Sequence, residues 1–348
     1  MATPGTALSE PDPAWDRLAR RVGVPPFSRP GWVQAWTAMT RFAPDLVRVE
    51  RDGELVGLLP TVRRGGGLAT AADWHVPVLE AVALDATALR DLAEAAISGR
   101  FRVSLASCDS LGATAAAFRK AFAAHGFVVR ERPQMHSPFI DLRAGRAAYE
   151  ATLDSKRMRE LARRRRRLQE EGAVTIGVDD GSTDLEAALT EGFAVEGSGW
   201  KGAAGTAIRS APATEHFYRT VARWAAAEGL LRLSFLRVAG RAIGFDLALV
   251  SGGREWLLKT GYSPAWARFS PGSQLRAAAI DRAFDEGLTH YEFAGSADPW
   301  KLEWTGTKRE IVLIDGFAPT IRGRACLVGS RLARRIRTVT SKTTRRTR

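Results

Sequence analysis

Just past a strand ending near Tyr262, the chain reads Ser270-Pro271-Gly272-Ser273-Gln274 and then runs into an Ala-rich stretch with helical spacing. Ser and Pro suit a helix start for backbone reasons alone. A helix start carrying a bare glycine is also a place where an anion can rest against backbone N–H groups. Phosphate binding is therefore one chemistry on offer. Two carboxylates offer another. Asp246 stands in the run Ala242-Ile243-Gly244-Phe245-Asp246-Leu247, where a charge among apolar neighbours is costly unless used or paired. Glu292 occupies a similar place in His290-Tyr291-Glu292-Phe293. Each is either a proton acceptor or half of a structural ion pair.

Other chemistries find no support in the pattern. Cys108 and Cys326 are the two cysteines, and no Cys/His group has metal-ligand spacing. Nothing resembles a nucleophile elbow with Ser, His and Asp partners.

The elements that must position these residues are legible from periodicity and turn signals. Leu46 to Arg64 reads strand, Asp52-Gly53 turn, strand, and Leu233 to Tyr262 holds a second hairpin. Gly53-x-x-Val56-Gly57 in the first matches Gly240-x-x-Ile243-Gly244 in the second. Each hairpin is followed by a further strand, an Ala-rich helix, a glycine stop and another strand, which reads as an internal duplication. The helix of the first half opens at Asp85, a cap whose charge would repel an anion. Only the second half keeps an uncharged, glycine-bearing mouth. Between the halves lies a helix ended by Gly172 that holds seven arginines from Arg157 to Arg167. It is a solvated face whose long stems cover neighbours, or a track for a polyanion.

The formal charge of +13 is unevenly spread. No acid follows Asp315, and ten basic residues lie from Arg322 to the end, so the rest carries only +3. The basicity is mostly a tail, residues 321–348, which is either a solubilising segment or a basic amphipathic one suited to an anionic membrane surface. The start, residues 1–26, is Pro-rich and expected to be loosely held apart from a short helix near Trp15. It lacks the pattern of a secretory leader, and no apolar run is long enough to span a bilayer. The expected location is cytoplasmic, with peripheral contact at the inner face of the membrane.

Taken in order, Gly240-x-x-Ile243-Gly244-Phe245, Tyr262, Ser270-Pro271-Gly272-x-x-Leu275, Phe293-x-Gly295 and Trp300-Lys301-x-x-Trp304 resemble the CelD/BcsL-like acetyltransferases, a branch of the GNAT superfamily. The arginine-rich helix resembles the stretch preceding the catalytic half in that family. The likeness spans roughly residues 27 to 315. It implies an α/β fold with a mixed sheet, in tandem GNAT-like halves at 27–145 and 146–320, akin to the FemABX-type aminoacyltransferases. It also implies acetyl-CoA or another acyl-CoA as co-substrate, without metal.

Under that resemblance Ser270, Pro271, Gly272, Ser273 and Gln274 hold the CoA pyrophosphate. Asp246 or Glu292 is the base, and Tyr262 or Tyr291 returns a proton to sulfur. Trp200, Lys259, Trp300 and Lys301 face the acceptor, against bland readings as packing or solvent-facing residues. The expected acceptor is an amine or hydroxyl on a sugar, exopolysaccharide or cell-envelope precursor. A FemABX-like use of charged tRNA, the one nucleic acid considered, and a catalytically silent binding module are the alternatives.

Overall fold

The computed structural model describes residues 12–329. The architecture is mixed α/β, and the described chain divides into two compact units. The division is not linear. One unit comprises Phe42–Gln134 and the described residues from Glu310 on; the other comprises the described residues up to Arg41 and Met135–Arg309. The chain passes between units inside two strands, Val128–Asp141 and Lys308–Phe317. The first unit is therefore closed by a strand, Lys308–Phe317, that the chain supplies only after it has completed the second.

In the first unit the hairpin Val47–Arg51 and Glu54–Leu59 turns at Asp52-Gly53, both with positive φ. Strand Gly67–Thr70 pairs antiparallel with Thr61–Arg64 and parallel with Arg102–Asp109, which pairs antiparallel with Lys308–Phe317. Helix Ala86–Ile97 begins at Asp85, whose carboxylate caps it through Ala88 N.

The second unit repeats this plan. Its hairpin Leu231–Val238 and Arg241–Ser251 turns at Ala239-Gly240, again both with positive φ. The central strand Arg254–Tyr262 runs antiparallel to Arg241–Ser251 and parallel to His290–Glu292, which pairs antiparallel with the end of Val128–Asp141. Strand Val174–Asp179 completes the far edge. Between the two parallel strands comes helix Pro271–Asp285, ended at Gly287 with φ 68°. From the strand after the hairpin onward the two halves share one order of pairing, antiparallel, parallel and antiparallel, but the first hairpin lies in a separate three-stranded sheet with Val82–Ala83.

Both faces of this second sheet are covered. Ala279, Ile280 and Ala283 of helix Pro271–Asp285 pack with Leu257, Tyr291, Phe293, Tyr149 and Trp304. On other helices, Phe193, Phe217 and Val221 are fully buried, Phe193 lying 6.3 Å from the Phe245 ring. The arginine-rich stretch forms helix Ser155–Glu170, capped by Asp154, with only Leu168 buried.

The short helix expected near Trp15 is present within residues 12–26. Asp12 caps helix Pro13–Val22, Trp15 is wholly buried, and its indole donates to Ser28 O at 3.0 Å. Residues 321–329 are helical. The tail beyond them lies outside the described residues.

Candidate functional site

Every predicted site residue falls in the second unit, and several of them gather around the end of its central strand. The parallel partner His290–Glu292 is only three residues long, and its last register pair is Trp256 with Glu292. The central strand continues for six residues more, from Leu257 to Tyr262, still paired on its other edge as far as Gly244. Beyond Glu292 the chain turns away through Ala294 and Gly295, both with positive φ. The two strands therefore fork, and the fork exposes one edge of Leu257–Tyr262 to whatever enters.

The mouth of helix Pro271–Asp285 lies beside this fork. The first intrahelical bond runs from Gln274 N to Ser270 O, and no side chain caps the helix. Pro271 has no N–H, so the orphan donors are those of Gly272 and Ser273. A Cβ built on Gly272 would find only Tyr262 Cδ1, at 3.6 Å, so the glycine leaves open space above the backbone. Ser270 adopts a left-handed conformation, φ 53°, and its hydroxyl accepts from Arg164 Nη1 at 2.5 Å. One member of the arginine-rich helix thus reaches the mouth. Gln274 is turned inward; its side-chain amide donates to Phe269 O at 3.2 Å. Tyr262 ends the strand 39% exposed, against Gly272.

Both carboxylates offered by the sequence as bases stand in ion pairs. Glu292 is completely buried, and its two oxygens accept from Arg309 Nη1 and Nη2 at 2.6 and 2.9 Å. Asp246 accepts from Arg276 Nη2 at 3.0 Å; its second oxygen is equally near that nitrogen but lacks a directed hydrogen bond. Arg276 also donates to the Tyr291 hydroxyl and, at 3.4 Å, to Thr260 Oγ1. Burial disfavours its charge, but Asp246 and Tyr291 more than reverse this and hold the guanidinium protonated. Burial in turn pushes the Tyr291 hydroxyl well above its ordinary range. Tyr291 is thus a core residue.

Lys259 belongs to the opposite face of the strand. Its Nζ lies 4.8 Å over the Tyr218 ring of helix Pro212–Ala227. Burial, with the neighbouring Lys201 charge second, lowers its pKa to about 8. Lys201 donates to Thr260 O at 2.7 Å and lies 3.3 Å from Glu196 Oε1. Glu196 is buried on helix Leu185–Gly197, its other oxygen accepting from Ile208 N. Gly261 allows this helix to approach, since a Cβ there would collide with the Glu196 backbone.

The predicted acceptor residues divide. Lys301 Nζ donates to Ala294 O and Ser296 O at 2.7 and 2.8 Å and sits 3.1 Å from Asp298. Its three N–H groups secure the loop after Glu292, and it has none left for an acceptor. Trp300 packs edge-on against Phe293, with Arg276 5.7 Å from its ring. The side chain of Trp200 lies outside the described residues.

Arg276, Lys201 and Glu196 stand out by no motif in the sequence, whereas Arg164 belongs to the arginine-rich helix. A signal existed for one of them. Arg276 shares helical spacing with Ala279, Ile280 and Ala283, so a charge was written into the buried stripe.

Residues 155–302 match the family model of the acetyltransferase (GNAT) domain. None of the curated proteins matches the sequence. Solved structures with the same fold include FemX, with a TM-score of 0.61 and 11% identity over 86% of this chain and 94% of that one. The C-terminal domain (DUF2156) of a putative lysylphosphatidylglycerol synthetase from Agrobacterium fabrum gives 0.56 and 13%, covering 91% and 94%. L-PGS from Bacillus licheniformis gives 0.55 and 14%, covering 92% and 96%. At such identities the likeness is one of fold. Together with the repeated halves, it gives a tandem GNAT-like fold, and the match to the GNAT domain model lies in the second unit.

Proposed function

We propose that the chain is an acyl-CoA-dependent transferase that moves an acyl group, acetyl first among candidates, to an amine or hydroxyl of a small acceptor. The observation that carries this reading is the fork beside an uncapped helix mouth. It sets free backbone groups of a central strand next to a seat for phosphate. Gly272 and Ser273 N–H groups, with Arg164 at the rim, would hold the donor's diphosphate. The open space over Gly272 fits that use, since a side chain there would obstruct it. When bound, the donor supplies an acyl group activated as a thioester.

The protein's own groups supply the rest. Backbone donors on Leu257–Tyr262 would polarise the acyl carbonyl, a preorganised arrangement of the kind that contributes most in acyl transfer. With Asp246 and Glu292 engaged by arginines, Lys259 is the group suited to accept the acceptor's proton. A pKa of about 8 leaves a useful neutral fraction near neutrality. Tyr262, exposed beside Gly272, would protonate the departing sulfur. Lys201 and Trp300 border the acceptor side, and a sugar or envelope precursor, as in the CelD/BcsL-like enzymes, is the acceptor class we favour.

Calorimetry with acetyl-CoA on the wild type and Gly272→Asp tests the donor assignment. Binding by the wild type that vanishes in the variant, with an unchanged circular dichroism spectrum, supports it. Absence of binding to the wild type, or equal binding to both, overturns it.

A further inference from the structure

Helix Ser155–Glu170 turns one side to the protein and the other to water. Leu168 is its buried residue, and Arg164 reaches Ser270 at the helix mouth. At about 3.6 residues per turn, Arg159, Arg163 and Arg166 lie on the side turned away from Leu168, with Lys156 and Arg167 flanking them. All five are exposed, in a row about 17 Å long. Elsewhere on the second unit, surface arginines are matched by acids: Arg223 by Glu186, Arg237 by Glu191, and Arg146 by Asp281 and Asp285. In the row only Arg163 has such a partner, Glu160. Lys156, Arg159, Arg166 and Arg167 stand in no ion pair among the described residues. Like charges three and four residues apart repel, so the helix keeps a repulsion that a mixed surface would avoid.

The row runs on from Arg164, which borders the donor seat, so the anion it suits is one that arrives with the donor. A bilayer is a poor match, because this side offers no apolar side chain larger than Ala162 to enter it. A nucleic acid is a poor match too, because the helix has no aromatic ring on which a base could stack. Carboxylates fit best. A guanidinium presents parallel N–H donors to each one, and arginine rather than lysine fills most of the row. An acidic protein surface presents carboxylates in that density. The seat itself is small. Pro271 has no N–H, and Gly272 and Ser273 supply two donors beside Arg164, enough for a single phosphate diester. Proteins that carry acyl groups hold them as thioesters on a phosphopantetheine arm, whose root is such a diester.

We propose that the exposed face of helix Ser155–Glu170 docks an acidic carrier protein, which delivers its acyl thioester to the fork along a phosphopantetheine arm. Docking of this kind presupposes the acyl-transfer reading of the fork and changes only what presents the arm. The arm's amides would pair with the free edge of Leu257–Tyr262, as those of CoA would. In the transfer the acyl carbon–sulfur bond breaks, a bond to the acceptor's nitrogen or oxygen forms, and the acceptor's proton ends on the carrier's thiol.

The test is calorimetry on the full chain with the acyl carrier protein of bacterial fatty-acid synthesis bearing an acetylated arm, with its apo form lacking the arm, and with acetyl-CoA. The acetylated carrier is expected to bind at least about tenfold more tightly than the apo form, and more weakly as salt rises. Arg159→Glu/Arg166→Glu changes two exposed residues outside any ion pair, so it should fold as the wild type does. It should lose about tenfold or more in carrier affinity while keeping its affinity for acetyl-CoA. Acetyl-CoA binding without carrier binding, or carrier binding indifferent to the double variant or to the arm, would overturn the proposal and leave the acyl-CoA reading standing. Binding of neither donor would overturn both. Tighter binding of a transfer RNA or of phosphatidylglycerol vesicles, lost in Arg159→Glu/Arg166→Glu, would also overturn it and assign the row to that polyanion.

Discussion

Arg276 and Asp246 meet at 3.0 Å with both side chains almost wholly buried, one on the helix that opens at Ser270 and the other on the strand beside the central one. The pair ties helix Pro271–Asp285 to the sheet. Tyr291 joins it from the third element of the fork. The helix mouth and the fork therefore keep their relative placement through one buried cation.

Removing one member leaves the other charged and unpaired. Asp246→Asn or Arg276→Met is expected to lower unfolding stability by about 3–5 kcal/mol. The double variant Asp246→Leu/Arg276→Met should recover most of that loss, because it removes both desolvation costs. Urea unfolding of the three variants checks this; a double variant no better than the singles would show that the pair is not an isolated ionic unit.

Glu292 and Arg309 form a second such pair, and here the prediction separates structure from catalysis. Glu292→Gln should destabilise the fold by about 1–3 kcal/mol through loss of a charged acceptor. In the surviving folded protein, acetyl-transfer rates measured well below the melting temperature should change little. A loss of a thousandfold or more in kcat with unchanged stability would restore Glu292 as a base.

Lys259 makes the pH dependence specific. Its pKa is lowered from 10.5 to about 8, so the ammonium form carries a burial cost below about pH 8. The unfolded chain binds more protons between about 8 and 10.5, and Lys259's contribution to stability rises with pH across that window. Activity should climb with pH to a plateau with an inflection near 8. Lys201→Met removes the neighbouring positive charge and should move that inflection upward. Lys259→Met should abolish the inflection and lower kcat by about 10²–10⁴-fold, while stability at pH 7 holds or rises. An inflection left in place by Lys259→Met would assign the titration to another group.

At the helix mouth, Arg164→Ala is expected to raise the KM for acetyl-CoA about tenfold with kcat unchanged. Arg164 is partly exposed, so stability should move by no more than about 0.5 kcal/mol. A fall in kcat without a change in KM would place Arg164 on the acceptor side instead.

Gly261→Ala tests the acceptor wall. The new methyl would collide with the backbone of Glu196, which no change of rotamer can relieve. A stability loss of about 1–3 kcal/mol is expected, with the acceptor KM rising and acetyl-CoA affinity in calorimetry retained. Loss of donor affinity alone would show that helix Leu185–Gly197 supports the donor seat.

Much of this was written locally in the chain. The turns at Asp52-Gly53 and Ala239-Gly240, the cap at Asp85 and the glycine stop at Gly287 each depend on a few adjacent residues, so residue type alone specifies them. The helix mouth at Ser270 was legible for the same reason. The order of hairpin, strand, helix and strand in both halves followed from those signals. Tertiary structure decided what the charges do. Whether Glu292 is a base or an ion-pair partner depends on Arg309, whether Lys301 is free depends on the carbonyls of Ala294 and Ser296, and Lys259 owes its lowered pKa to burial and to Lys201. The return of the chain to the first unit through Lys308–Phe317 is of the same kind. A side chain's charge and availability are set by the dielectric and by the partners folding brings near, and those neighbours come from distant stretches of the chain that no local pattern records.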